Sequence, residues 1–217
     1  MKTTFLVLAL VLLVTSCDWL NFGKKTEDSS TLGGSTNIPI NTVGNTFANS
    51  VVVGSTQYQG SIAVTNVTDG VATVQFKAPI PPNIPILQGI NPKYKDANGN
   101  FVFEGKFKET DEGILDYNNK DHKPFVLVRY DANVGDKYTL EKSDGSTIVR
   151  EVVRKSTDDD FYWGGMLIKT IDVEVKVNVP GITKIVYFSN HKFGMVAVKV
   201  YMEDGSTPQL SLYPTTY

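Results

Sequence analysis

The segment Thr170–Val179 reads TIDVEVKVNV. Ile171, Val173, Val175, Val177 and Val179 share one parity, while Asp172, Glu174, Lys176 and Asn178 share the other. Successive side chains of a strand point to opposite faces, so the segment specifies a strand with one buried and one wet face. On a helix the same residues would scatter around the circumference. The β-branched run adds to the preference. The two-residue period returns in Val196, Val198, Val200 and Met202, and less cleanly in GSIAVTNVTDGVATVQFKA, from Gly60 to Ala78.

Asp-Gly pairs punctuate these runs at Asp69-Gly70, Asp144-Gly145 and Asp204-Gly205, and Asn98-Gly99 has the same character. Tight hairpins need positive φ, which such pairs supply. No segment shows a helical face with caps. The pattern predicts an all-β chain: a single antiparallel, strongly curved meander sheet forming an open half-barrel, with a β-sandwich as the alternative. A hydrophobic content of 41% suffices for one real core.

One stretch breaks the rhythm. APIPPNIPILQGINP contains Pro79, Pro81, Pro82, Pro85 and Pro92, and proline cannot donate to a ladder, so this is no central strand. It reads as an extended connection along an edge or over one end. The competing reading is the rim of a cleft, with Ile84, Ile86 and Leu87 facing a ligand.

The start of the chain points to a destination. Lys2 precedes an apolar run from Phe5 to Val14, the length of a secretory h-region and short of the roughly 20 residues a spanning helix needs. The run ends in Val14-Thr15-Ser16-Cys17, and Cys17 is the protein's only cysteine. This stretch resembles the lipobox of bacterial lipoproteins. The resemblance implies cleavage after Ser16, a diacylglyceryl thioether on Cys17 and acylation of the new amine. A buried methylene contributes about 0.8 kcal/mol, and two or three chains make anchoring durable where one does not. Residues 1–16 are thus expected to be a signal peptide. Residues 17–45, which include GKKTEDSSTLGGSTN, are expected to be the lipidated cysteine and a flexible tether, because so little of the segment can be buried. A coil of that length reaches roughly 30 Å. Residues 46–217 are expected to form one β domain.

Further resemblance lies in the last ninety or so residues. Val134-Gly135-Asp136-Lys137-Tyr138 and the segment from Tyr187 to Ser206 are similar to parts of cell-envelope lipoproteins of diderm bacteria, a group of unassigned function. Some members look like curved half-barrels that carry or sense lipids. Two departures are Lys192-Phe193, where a second glycine is common, and Ala197, where lysine is usual. The resemblance implies an envelope location, the outer membrane or cell surface in preference to the inner membrane.

Candidate chemistry is sparse. The formal charge of −2 gives no reason to expect a nucleic-acid partner, which shows as a basic patch. Neither G-x-S-x-G nor H-E-x-x-H occurs. His122 and His191 sit in turn-like contexts and read as solvent-facing. Asp96, Asn98 and Asn100 alternate like calcium ligands, but the glycine and glutamate fall at the wrong positions for an EF-hand, so a hairpin turn is the better reading.

The most unusual composition is Asp158, Asp159, Asp160, Phe161, Tyr162 and Trp163, followed by Gly164-Gly165. One reading is an acidic, solvated loop ending where an aromatic enters the core. Others are an aromatic surface that stacks a sugar, a Ca²⁺ site, or a carboxylate pair for glycoside hydrolysis. These six residues are the candidate binding surface. The catalytic and metal assignments are none, and no cofactor is expected. The chain is expected to be a monomeric, non-enzymatic binding or interaction module that meets the membrane through its lipid and takes an apolar ligand, a glycan or a partner protein. A structural or adhesive sandwich module is the alternative, and a hydrolase combining the aspartate loop with His191 ranks below it.

Overall fold

The structure, a computed structural model, describes residues 28–53, 55–80 and 92–215. The signal segment, Cys17, the tether up to residue 27 and the Ile84, Ile86 and Leu87 rim lie outside the described residues.

Among the described residues fourteen strands follow one another: β1 (Thr46–Val53), β2 (Thr56–Thr68), β3 (Val71–Ala78), β4 (Phe101–Thr110), β5 (Gly113–Asp116), β6 (Phe125–Arg129), β7 (Lys137–Glu141), β8 (Thr147–Lys155), β9 (Phe161–Trp163), β10 (Met166–Ile168), β11 (Ile171–Val179), β12 (Ile182–Asn190), β13 (Gly194–Met202) and β14 (Gln209–Pro214). Short 3₁₀ turns occupy Pro39–Asn41 and Pro92–Tyr94. Twelve strands form one sheet in the order β6-β5-β4-β3-β2-β1-β14-β13-β12-β11-β8-β7. Every described pairing is antiparallel, and β1 pairs with β14, so the first and last described strands meet in mid-sheet. The sheet curls until it nearly closes, with β6 and β7 as the facing edges. The alternative of two sheets joined by Greek-key crossings does not hold.

The Asp-Gly turns sit where the pattern places them. Asp69-Gly70 joins β2 to β3, Asp144-Gly145 joins β7 to β8, and Asp204-Gly205 joins β13 to β14. At the first of these both residues have positive φ, 53° and 75°, the geometry that matches the twist of a two-residue hairpin. Asn98-Gly99 closes a smaller turn between the paired residues Lys95 and Phe101. There the Asp96 Oδ1 accepts the amides of Asn98 and Asn100. Lys77 and these donors hold the Asp96 carboxyl well below the usual range.

Strand alternation divides the apolar residues between two cores. Inside the curl lie Val64, Val126, Val152, Val173, Ile185 and Val200. On the opposite face of β12 and β13, the β9–β10 hairpin brings Trp163 and Ile168 onto Val186, Phe188, Val196 and Ala197. The expected single face for Val196, Val198, Val200 and Met202 is therefore broken. A bulge shifts the register between Phe188 and Ser189, which turns Val196 outward beside Ala197 and leaves Met195 inside. An extra residue in one strand reverses which face its neighbours address.

The described part of the expected tether is packed. Residues 28–45 run against the sheet: Asp111 N donates to Ser35 O at 3.1 Å, Gly44 N to Val64 O at 2.9 Å and Val64 N to Asn45 O at 2.9 Å. Low apolar content had pointed to disorder, but backbone groups hold this segment, and composition does not report those.

Candidate functional site

The inward face of the curl is filled on one side and hollow on the other. The hollow is a cavity of about 790 Å³, within the range of small-molecule sites. Its walls come from β1 to β5, β13 and β14, which contribute the rings of Phe47, Phe76, Phe103 and Phe107 together with aliphatic side chains such as Val74 and Leu210. The 3₁₀ turn at Pro39–Asn41 lies over one end, with Ile38, Pro39 and Ile40 lining the cavity. Asn41 fixes this strap by donating its Nδ2 to Thr36 O and to Glu109 O, each at 2.8 Å.

Glu109 is the buried acid of a mainly apolar wall that also carries polar residues such as Asn45 and Thr110. On β4 the inward parity runs Phe101, Phe103, Gly105, Phe107, Glu109, so the same alternation that puts the phenylalanines inside carries a carboxyl in after them. Glu109 is 8% exposed. Among the described residues no hydrogen-bond or ion-pair partner meets its carboxyl oxygens. Burial alone pushes its pKa up to about 8, since a low-dielectric site disfavours the charged form. The side chain spans the hollow to the opposite wall at Gly194, where φ is +69° and any Cβ would overlap the carboxyl. Behind the cavity wall, Asn41 Oδ1, on the side chain that bonds the Glu109 carbonyl, and the Tyr130 hydroxyl are buried without partners; burial and the Glu109 charge push the Tyr130 hydroxyl up in pKa.

His191 and Lys192, in the turn between β12 and β13, are exposed and line the mouth of the cavity together with Asp111. His191 is thus a turn residue as the sequence suggests, and it also borders the hollow. His122 lies away from it, in the β5–β6 connection.

The six candidate residues from Asp158 to Trp163 do not form one surface. Strand β9 alternates them. Phe161 stacks on Phe188 with ring centroids 5.0 Å apart, Tyr162 points to solvent at 73% exposure, and Trp163, 2% exposed, donates its indole N–H to Leu212 O at 2.7 Å. Asp158 and Asp159 are exposed. Asp160 is held by Arg154 and accepts the Ser156 hydroxyl at 2.9 Å, and the Arg154 guanidinium lowers its pKa. Arg154 also pairs at 3.2 Å with the buried Asp172, so the loop is clamped to β11. None of the three aspartates lines the cavity that His191 borders, which separates the two parts a hydrolase would need together.

No family model matches the chain, and no curated protein matches its sequence. Among the described residues no helix is long and apolar enough to cross a membrane.

Proposed function

We propose that this chain is a lipid-anchored, non-enzymatic binding protein of the bacterial envelope that holds an apolar ligand inside its curled sheet. The observation that carries the reading is the hollow of about 790 Å³, walled by five phenylalanines together with aliphatic side chains. A sheet curled only for stability would fill its interior to the density of other protein cores, as this one does around Val126, Val152 and Val173. Leaving one half unfilled forgoes dispersion contacts that a bound hydrocarbon body would restore. The apolar body is favoured over a glycan because the cavity gathers its aromatics around one hollow, while those of β9 are dispersed over two faces.

The anchor rests on the sequence alone. Cys17 supplies the thiol a thioether needs, and Ser16 precedes the expected cleavage. Residues 17–27 then join the lipid to a body whose packed part begins by Asp28.

Native mass spectrometry of the mature full chain tests the reading. A co-purified adduct of hydrocarbon character, released by organic extraction, is the expected result. A chain that carries only its N-terminal lipid and takes up no apolar probe overturns it. Cys17→Ser is expected to move the protein from the membrane fraction to the soluble one.

A further inference from the structure

We propose that the cavity selects an apolar molecule bearing one primary amine, with the ammonium seated on Glu109. The inference rests on the apolar-ligand reading and adds the head group.

The polar atoms that the hollow leaves unpartnered set the requirement. Both carboxyl oxygens of Glu109, which lines the cavity, are without a donor among the described residues. A primary ammonium carries three N–H donors and no acceptor, enough to meet both oxygens. A hydroxyl head has one donor and satisfies one of them. A plain hydrocarbon satisfies none and would seal Glu109 away from water with its desolvation uncompensated. A carboxylate head offers no donor: it meets Glu109 only through the one proton the acid itself carries, and the basic groups, His191 and Lys192, stand exposed at the mouth.

The groups facing Glu109 come from several elements. They are Thr110 and Asp111 on its own strand and turn, Tyr130 after β6, and His191, Lys192 and Gly194 on the opposite wall. The absence of a side chain at Gly194 is what leaves room for the carboxyl to reach across. With the site empty, Glu109 holds its proton up to a pH of about 8. An arriving ammonium favours the carboxylate, and that proton leaves to solvent.

The test is isothermal titration of the full chain in detergent micelles with three water-soluble probes of equal length: hexylamine, hexanol and hexanoate. Empty micelles serve as the blank, and each titration is repeated in two buffers of different ionisation enthalpy. Hexylamine is expected to bind at least about tenfold tighter than hexanoate, a modest difference in contact energy, and to release close to one proton per molecule at pH 7. Glu109→Gln is expected to abolish both the preference and the proton release while hexanol still binds. The proton count on the unaltered chain needs no variant and stands if Glu109→Gln fails to fold. Equal binding of hexylamine and hexanoate, or a preference that survives Glu109→Gln, overturns the amine inference and leaves the apolar-ligand reading intact. Exclusion of all three probes overturns both.

Discussion

Arg150 on β8 reaches past β7 to pair with Asp116 at the end of β5, across the one place where neighbouring edges of the curl share no ladder. The guanidinium is 1% exposed. It also donates to the carbonyls of Phe125 and Val126 at 3.3 and 3.0 Å and lies over the Phe125 ring, 4.2 Å from its centroid. From the other side Ser29 fills the same gap: its carbonyl accepts Val126 N and its hydroxyl accepts Thr139 N, both at 2.8 Å. Tyr138 adds a third link by accepting Arg129 N at 3.1 Å. Strands β6 and β7 are consecutive in the chain and yet joined by side chains and a borrowed segment. An ordinary hairpin is missing there.

Breaking the pair on one side leaves a buried charge uncompensated. Arg150→Met is expected to lower the unfolding free energy by about 3–5 kcal/mol, read from urea denaturation. Asp116→Asn should cost a similar amount. The double variant Arg150→Met with Asp116→Asn is expected to cost clearly less than the two single losses combined. Additive losses would show that the two groups act independently.

Ser29 contributes differently, because half of its role is backbone. Ser29→Ala removes the acceptor for Thr139 N, a loss expected to cost about 1 kcal/mol. Hydrogen exchange gives the sharper readout: the Thr139 amide should exchange faster while Val126, bonded to the Ser29 carbonyl, stays protected. Deleting residues 28–31 should release both amides. Unchanged protection at Thr139 in Ser29→Ala would remove the seam role assigned to the hydroxyl.

Local alternation made the strands legible, and the Asp-Gly pairs placed three of their turns. The seam was not legible, because it depends on residues far apart in sequence: Ser29 meets Thr139, and Arg150 meets Asp116. Nor did composition show that Ser29 and Ser35 would be bonded into the body. Glu109 was within reach. The parity Phe101, Phe103, Gly105, Phe107 puts an acid next on the apolar face, and an acid on an apolar face is a signal that alternation alone can expose. The aspartate–aromatic run drew attention through its composition, yet a strand sends Tyr162 and Trp163 to opposite faces, which composition cannot express.

Trp163 is the anchor that holds the outer hairpin to the sheet, with Phe193 and Tyr213 packed 4.7 and 5.7 Å from its ring. Trp163→Ala is expected to cost about 3–5 kcal/mol, measured by thermal or chemical unfolding. Trp163→Phe should cost less, keeping ring contact but leaving the Leu212 carbonyl without its donor. Tyr162→Ala, on the exposed face of the same strand, is expected to change stability by no more than about 0.5 kcal/mol. A large effect at Tyr162 would reverse the assignment of faces.

Glu109 ties stability to pH. Its pKa rises from an ordinary 4.5 to about 8 in the folded chain, so between these values the folded state holds a proton that the unfolded state releases. The resulting contribution is complete below about pH 4.5 and is lost as pH climbs toward 8, by up to about 1.4 kcal/mol for each pH unit crossed. Burial raises Asp172 in the same direction, whereas Asp96, Asp144 and Asp160 are lowered and titrate below this window. Glu109→Gln cannot exchange that proton. Denaturation midpoints at pH 5, 6.5 and 8 are therefore expected to fall steeply for the unaltered chain and much less for the variant, which should be the more stable of the two above pH 8. Parallel curves would mean that Glu109 ionises in the folded protein as it does in water, and that the carboxyl is not sequestered in the hollow.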